Sequence, residues 1–172
     1  MIRKMLAAFL SLFLFIGCGY RFTPTGENIG RDVKKVYVAV FTNGTSEANI
    51  ESVFRNAFID QFIKGQRFKV VRDESEADAL LKGDIKNLIL FHLAYRGDNF
   101  ALENRITVTI ALTLEDKNGK KVLWREENFS QWGDFALDGS SLMASQESQK
   151  NALVKLANDT ADRAYRMMVS DF

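Results

Sequence analysis

The chain has one cysteine, one proline, one histidine and almost no net charge in 172 residues. A lone cysteine, Cys18, excludes an internal disulfide, a dithiol redox pair and a thiolate metal site. A lone histidine, His92, sits inside an apolar run. Its surroundings supply no partners for a ligand or a general base, so a hydrogen-bonded or partly exposed strand histidine is the expectation. With Pro24 as the single proline, everything beyond it is free to form long uninterrupted strands and helices. A net charge of +1 gives no basic footprint for nucleic acid. Gly-rich phosphate loops, a Gly-x-Ser-x-Gly elbow and His-Glu-x-x-His are all missing. Glu126 and Glu127 alternate across a strand and cannot share one bond. No enzyme, metal or cofactor is expected.

What is present begins at the front. Arg3 and Lys4 precede an apolar run, Met5 to Ile16, that ends in Gly17-Cys18. That layout is an export signal, too short for a membrane span of about 20 residues. It lacks an A-x-A site and runs directly into a cysteine, as in the bacterial lipobox, where cleavage falls before an acylated cysteine. Cys18 could instead be a small buried hydrophobe, and the run an uncleaved short anchor. A core cysteine, however, has no reason to sit where a signal stops. The expected division is a signal peptide at 1–17, a lipidated N-terminus and tether at 18–34, and one globular domain at 35–172. Loss of Arg3 and Lys4 with the signal takes the net charge to −1.

The remaining chain alternates period-two and helical patterns. "VYVAVFTNGT" (36–45) reads as a strand apolar on both faces, which is usually central or covered on both sides. Thr45 or Ser46 offers an N-cap. Ile50, Val53, Phe54, Ala57, Phe58 and Phe62 then mark a helix, with Gly65 at its C-cap. "RFKVV" (67–71) is a short strand, and "RDESEAD" (72–78) a charged loop. Ala79–Tyr95 is a long strand, followed by turn chemistry at Gly97-Asp98-Asn99. Arg105–Glu115 alternates strictly, turning Ile106, Val108, Ile110, Leu112 and Leu114 one way. "DKNGK" (116–120) is a hairpin loop, Val122–Gln131 a strand and Gly133–Gly139 a loop. The helix Ser140–Met168 buries Leu142, Leu153, Leu156, Ala157, Ala161, Ala164, Tyr165 and Met168. The predicted fold is α+β, a two-layer sandwich in the order β-α-β-β-β-β-α. Its mixed, mostly antiparallel sheet has four to five strands and two helices on one face.

"CGYRF" (18–22), "VYVAVFTNGT", "RFKVV" and "EADALLKGDI" (76–85), in this order, resemble the lipopolysaccharide-assembly lipoprotein family LptE. The resemblance implies an outer-membrane lipoprotein, lipid-anchored through Cys18 on the periplasmic side, that sits inside the β-barrel LptD and helps deliver lipopolysaccharide to the outer leaflet. Gly19, where aspartate would signal inner-membrane retention, agrees with outward sorting. The other reading is an envelope adaptor or a carrier of a small apolar ligand. An enclosed apolar pocket would mark the carrier, and a filled core beneath an open sheet face the plug.

The back of the alternating strand carries Thr107, Thr109, Ala111 and Thr113. Its neighbour is apolar on both sides, with Ile85, Ile89, Phe91 and Leu93 on one and Leu88, Leu90 and Ala94 on the other. Leu88, Leu90, Thr107, Thr109 and Thr113 are therefore the candidate partner face. Arg96, Arg105, Lys120, Lys121 and Arg125, near strand ends, are candidates for meeting lipopolysaccharide phosphates. The competing reading is a water-facing, threonine-rich sheet with a solvated rim.

Overall fold

The computed structural model describes residues 29, 32–95, 101–137 and 141–170. Cys18 and Arg96 lie outside these residues, as does the turn at Gly97-Asp98-Asn99. The elements are β1 (Lys35–Val38), β2 (Thr42–Asn43), α1 (Ile50–Gly65), β3 (Lys69–Val70), a 3-10 turn (Glu74–Glu76), β4 (Ala79–Tyr95), β5 (Ala101–Asp116), β6 (Val122–Ala136) and α2 (Leu142–Ser170). The sheet runs β3-β1-β4-β5-β6, with β2 also on β4. β1 pairs in parallel with β3 and β4, and β2 in parallel with β4. β4, β5 and β6 form an antiparallel meander. The α+β sandwich is thus as expected, with the first strand divided in two.

That division has a local cause. Val36 and Val38 are buried, but the next inward residue is Phe41, and Val40 is left exposed. The phase slips by one residue between β1 and β2, so the run is apolar on alternate sides in turn and is not covered on both. Phe41 lies on Gly83, where a Cβ would come within 2.6 Å of the ring. Here glycine is required by close approach.

Helix α1 buries Ile50, Phe54, Ala57, Phe58 and Phe62, as its period predicts. Its ends differ from expectation. Asn49, in the left-handed region at φ 63°, occupies the N-cap without a side-chain cap bond. Thr45 is instead held by Asn43, its amide and hydroxyl both donating to Asn43 Oδ1 at 2.9 Å. Gln66 takes the left-handed C-cap at φ 58°. Gly65 is still helical, and a Cβ there would clash with Tyr165 Cζ and with its hydroxyl oxygen, so it serves packing between the helices.

Helix α2 buries Leu153, Leu156, Ala157, Thr160, Ala161, Ala164, Tyr165 and Met168. Leu142, expected in that stripe, is 76% exposed, because it precedes the part of the helix that meets the sheet. Thr160 is tolerated in the core because its hydroxyl donates to the Leu156 carbonyl at 2.6 Å. β6 runs on through Gly133 to Ala136, five residues past its expected end, with Gly133 beneath Leu156. Among the described residues no helix is long and apolar enough to cross a membrane.

The two helices divide one sheet face. α1 lies over β1, β2 and β3, and α2 over β6, with the helices packed on each other. Phe54, Phe58 and Phe62 belong to the same buried core as Ile106, Val108 and Ile110. Their aromatic neighbours, however, come from elsewhere: Phe41 is 5.4 Å from Phe58, and Phe62 is 5.6 Å from Phe68 and 5.2 Å from Tyr165. Phe58 is fully buried, so Phe58→Ala should cost about 3–5 kcal/mol, measured by urea denaturation. A loss below about 1 kcal/mol would show a core able to collapse around the missing ring.

Candidate functional site on the uncovered sheet face

Antiparallel register decides which side chains share a face. On the helix side the rows across β4, β5 and β6 are Leu81–Leu114–Trp124, Ile85–Ile110–Phe129, Leu88–Val108–Gln131 and Leu90–Ile106–Gly133. On the opposite side they are Lys82–Thr113–Arg125, Asn87–Thr109–Ser130, Ile89–Thr107–Trp132 and Phe91–Arg105–Asp134. The helix-side rows are buried as far as Ile85–Ile110–Phe129, whereas Leu90 is exposed at the far end.

A bulge at Lys86, between Ile85 and Asn87, exchanges the faces of β4. Before it, Leu81, Gly83 and Ile85 face the helices. After it, Leu88, Leu90 and His92 do. Ile85 therefore does not share a face with Ile89 and Phe91, as strict alternation predicts, and Leu88 and Leu90 lie on the side opposite Thr107, Thr109 and Thr113. An extra residue in one strand moves every later side chain across the sheet. Lys86 itself reaches across β5, and its Nζ donates to the Glu127 carbonyl at 2.8 Å.

The open face accordingly carries Ile89, Phe91 and Trp132, at 38%, 52% and 58% exposure, beside half-buried Thr107 and Thr109. Trp132 was not among the sequence candidates. Its signal was the alternation Ser130–Trp132–Asp134, which continues across a glycine.

The cations are not gathered in one place. Arg105 donates from Nε to Asp134 Oδ1 at 2.7 Å and from Nη2 to Oδ2 at 2.8 Å. Its guanidinium carbon stands 3.9 Å from the Trp132 ring centroid. This two-pronged bond and the aromatic stack fix the guanidinium plane and leave Nη1 without a partner among the described residues. The bonds from Arg105 hold the Asp134 carboxyl below its usual range, and the Asp134 bond raises Arg105 above its own. Arg125 shares the open face, 3.7 Å from Glu127. Lys120 and Lys121 sit in the β5–β6 turn, their amides donating to Asp116 Oδ1 at 2.7 and 2.9 Å. The strand from Arg105 to Asp116 spans about 36 Å at roughly 3.3 Å per residue, so Arg105 and the two lysines occupy opposite ends of the sheet.

His92 faces the helix side, its Nδ1 2.7 Å from the Oδ1 of buried Asn104, a hydrogen-bonded strand histidine as expected. Among the described residues no group of acidic, histidine and cysteine side chains is placed to hold a metal. A groove of about 340 Å³ lies on the open face at Val40, Thr42, Lys82 and Asp84. Another of about 550 Å³ runs between the start of α1 and α2, past Glu47, Asn49, Gln146 and Lys150. Both are surface grooves with charged walls, unlike the closed apolar chamber of a carrier.

Residues 33–168 match the family model LptE, lipopolysaccharide-assembly. The chain belongs to the LptE family. No curated protein matches it by sequence. Among solved structures it resembles a putative lipoprotein from Caulobacter crescentus, at 10% identity and TM-score 0.54, covering 76% of this chain and 89% of that one. It also resembles the rare lipoprotein B from Shewanella oneidensis, at 12% identity and TM-score 0.53, covering 80% and 95%. A third is a minor lipoprotein from Acinetobacter baumannii, at 9% identity and TM-score 0.50, covering 80% and 94%. At these identities the likeness establishes the fold, two helices against an open mixed sheet.

The Arg105–Asp134–Trp132 cluster should titrate in acid. Because the Asp134 carboxyl is held below its usual value, the ion pair persists at and above that value, about pH 3.9, and is lost as pH falls through the lowered one. In a Trp124→Phe variant, Trp132 emission should stay flat down to about pH 4 and change only below it. Asp134→Asn should abolish that acid limb. An unaltered limb in Asp134→Asn would assign the titration to another group.

Proposed function

We propose that this LptE-family chain is an outer-membrane lipoprotein, anchored on the periplasmic side by acyl chains on Cys18. It sits within the β-barrel LptD, supports it, and contacts lipopolysaccharide on its way to the outer leaflet. We assign it no catalytic step. The observation that carries the reading is the uncovered sheet face. Among the described residues both helices lie on one side, and the other presents Ile89 and Trp132 flanking Thr107 in one row and Phe91 beside Arg105 in the next. A contiguous exposed patch of this kind marks an interaction site. Strand propensity accounts for the threonines but not for three large apolar side chains left in water.

The same face supplies a phosphate-binding group. Arg105 is held by Asp134 and Trp132 with one nitrogen unpartnered among the described residues, and one charge-assisted bond from it to a lipid A phosphate would contribute about 1.5–3 kcal/mol. Arg125, further along the face, is a second candidate. Lys120 and Lys121 are too far away to join the same headgroup.

Thr109 lies mid-patch between Asn87 and Ser130. Thr109→Asp sets an unpaired carboxylate in a contact that excludes water, and should lower recovery of the barrel in affinity purification from membranes by about tenfold or more, the equivalent of 1.4 kcal/mol. Arg105→Ala should leave barrel recovery intact and weaken lipopolysaccharide binding by about tenfold. Unchanged barrel recovery and lipopolysaccharide binding in both folded variants would defeat the proposal in favour of an adaptor.

A further inference from the structure

The end of the sheet where β1, β3 and β4 begin and β5 turns into β6 is chemically unlike the open face. Register sets Lys35 beside Lys69 and Val36 beside Ala79, which in turn opposes Asp116. The Lys117 amide donates to the Asp78 carbonyl at 2.9 Å. One pole therefore carries Lys34, Lys35, Lys69, Lys117 and Lys120, all exposed.

The acids there bond to backbone amides, although the Asp78 charge also acts on Lys35 and Lys117, and Lys117 Nζ donates to the Ser75 carbonyl at 3.2 Å. Asp78 Oδ2 accepts the amides of Lys34 and Lys35 at 2.9 and 2.8 Å, Asp73 accepts the Ser75 amide at 2.9 Å, and Asp116 holds the Lys120 and Lys121 amides. Among the described residues none of the five lysines forms an ion pair, whereas Lys82, Arg105 and Arg125 on the open face pair with Glu115, Asp134 and Glu127. Asp32, Glu74 and Glu76 are exposed at or near this pole and weaken its field without pairing to it. Lys35 and Lys69, adjacent on neighbouring strands, repel each other, a cost that an external anionic surface would offset.

Residues 32–34 enter β1 at this pole. Ile29 is buried in the core, the Val33 carbonyl accepts Arg67 Nη1 at 3.1 Å, and the next two amides are held by Asp78. From Ile29 back to Cys18 the backbone can reach about 40 Å at most, at roughly 3.6 Å per residue. We propose that the lysine pole rests on the anionic phospholipid headgroups of the leaflet that holds the acyl chains, a basic patch acting with the lipid anchor. The inference rests on the acylation of Cys18.

The test uses the full chain, as wild type and in a Cys18→Ser background, with vesicles of phosphatidylcholine alone or mixed with phosphatidylglycerol. The Cys18→Ser protein should favour the phosphatidylglycerol vesicles at least tenfold, a preference that shrinks as salt is added. Adding Lys35→Glu and Lys69→Glu should remove the preference, and the milder Lys35→Gln and Lys69→Gln pair should reduce it, with thermal unfolding unchanged. No preference in the Cys18→Ser protein, or a preference retained by the folded Glu variant, would overturn the proposal. So would stronger binding of the pole to lipopolysaccharide than to phosphatidylglycerol, which would return Lys120 to the glycolipid. Wild type purified without acyl mass on Cys18 would overturn the anchor and, with it, the leaflet.

Discussion

The extra residue at Lys86 governs what the rest of β4 can do. Two helices cover one side of the sheet, and the bulge decides which of β4's apolar residues they can reach. Ahead of it, Leu81 and Ile85 are sealed beneath the helix layer. Beyond it, Ile89 and Phe91 turn to the side that neither of the two described helices covers, beside Thr107 and Arg105. Without the bulge they would share a face with Ile85, and the open side would carry Leu88 and Leu90 instead. Trp132, which stacks on the Arg105 guanidinium, is placed separately by the β5–β6 register, with its own irregularity between Glu126 and Phe129.

The covered side can be one helix thick because its aromatics interlock tightly. Phe41 rests on Gly83 and meets Phe58, while Phe62, Phe68 and Tyr165 close the seam between the helices and the β3 edge. Gly65 and Gly83 are each small because a ring occupies the space a side chain would need. The described residues therefore form one packed side and one open side. The two ends differ as well: among the described residues, exposed lysines outside any ion pair gather where β1 begins, and apolar side chains are exposed toward the far end of β4.

Much of this was legible in the sequence, for physical reasons that differ by element. β5 alternates without interruption, so Ile106 to Leu114 announced the core row, and the α1 phenylalanines and the α2 stripe from Leu153 onward announced the helix layer. β4 misled because it is apolar at nearly every position, so its period could not reveal the exchange of faces at Lys86. Gly65 followed a helical run, as a C-cap would, yet its reason is Tyr165, one hundred residues away in the chain. The cations near strand ends read as one rim because sequence distance hides strand length. Leu142 matched the stripe in phase but lies ahead of the part of α2 that meets the sheet. The family motifs were sufficient to place the chain in LptE, whereas the roles of Cys18 and Arg96 fall outside the described residues.

The central claim is that the open face, in the phase set by the Lys86 bulge, is the surface that the barrel covers. Thiol-labelling rates of single cysteines placed at Ile85, Leu88, Ile89, Thr107, Val108 and Thr109, in the free chain and in the barrel complex, test it most directly. The account predicts that in the free chain positions 89, 107 and 109 react, that 85 and 108 do not, and that the three reactive positions become protected in the complex. Reactivity of 85 together with 89, or equal labelling of 89, 107 and 109 with and without the barrel, would contradict it.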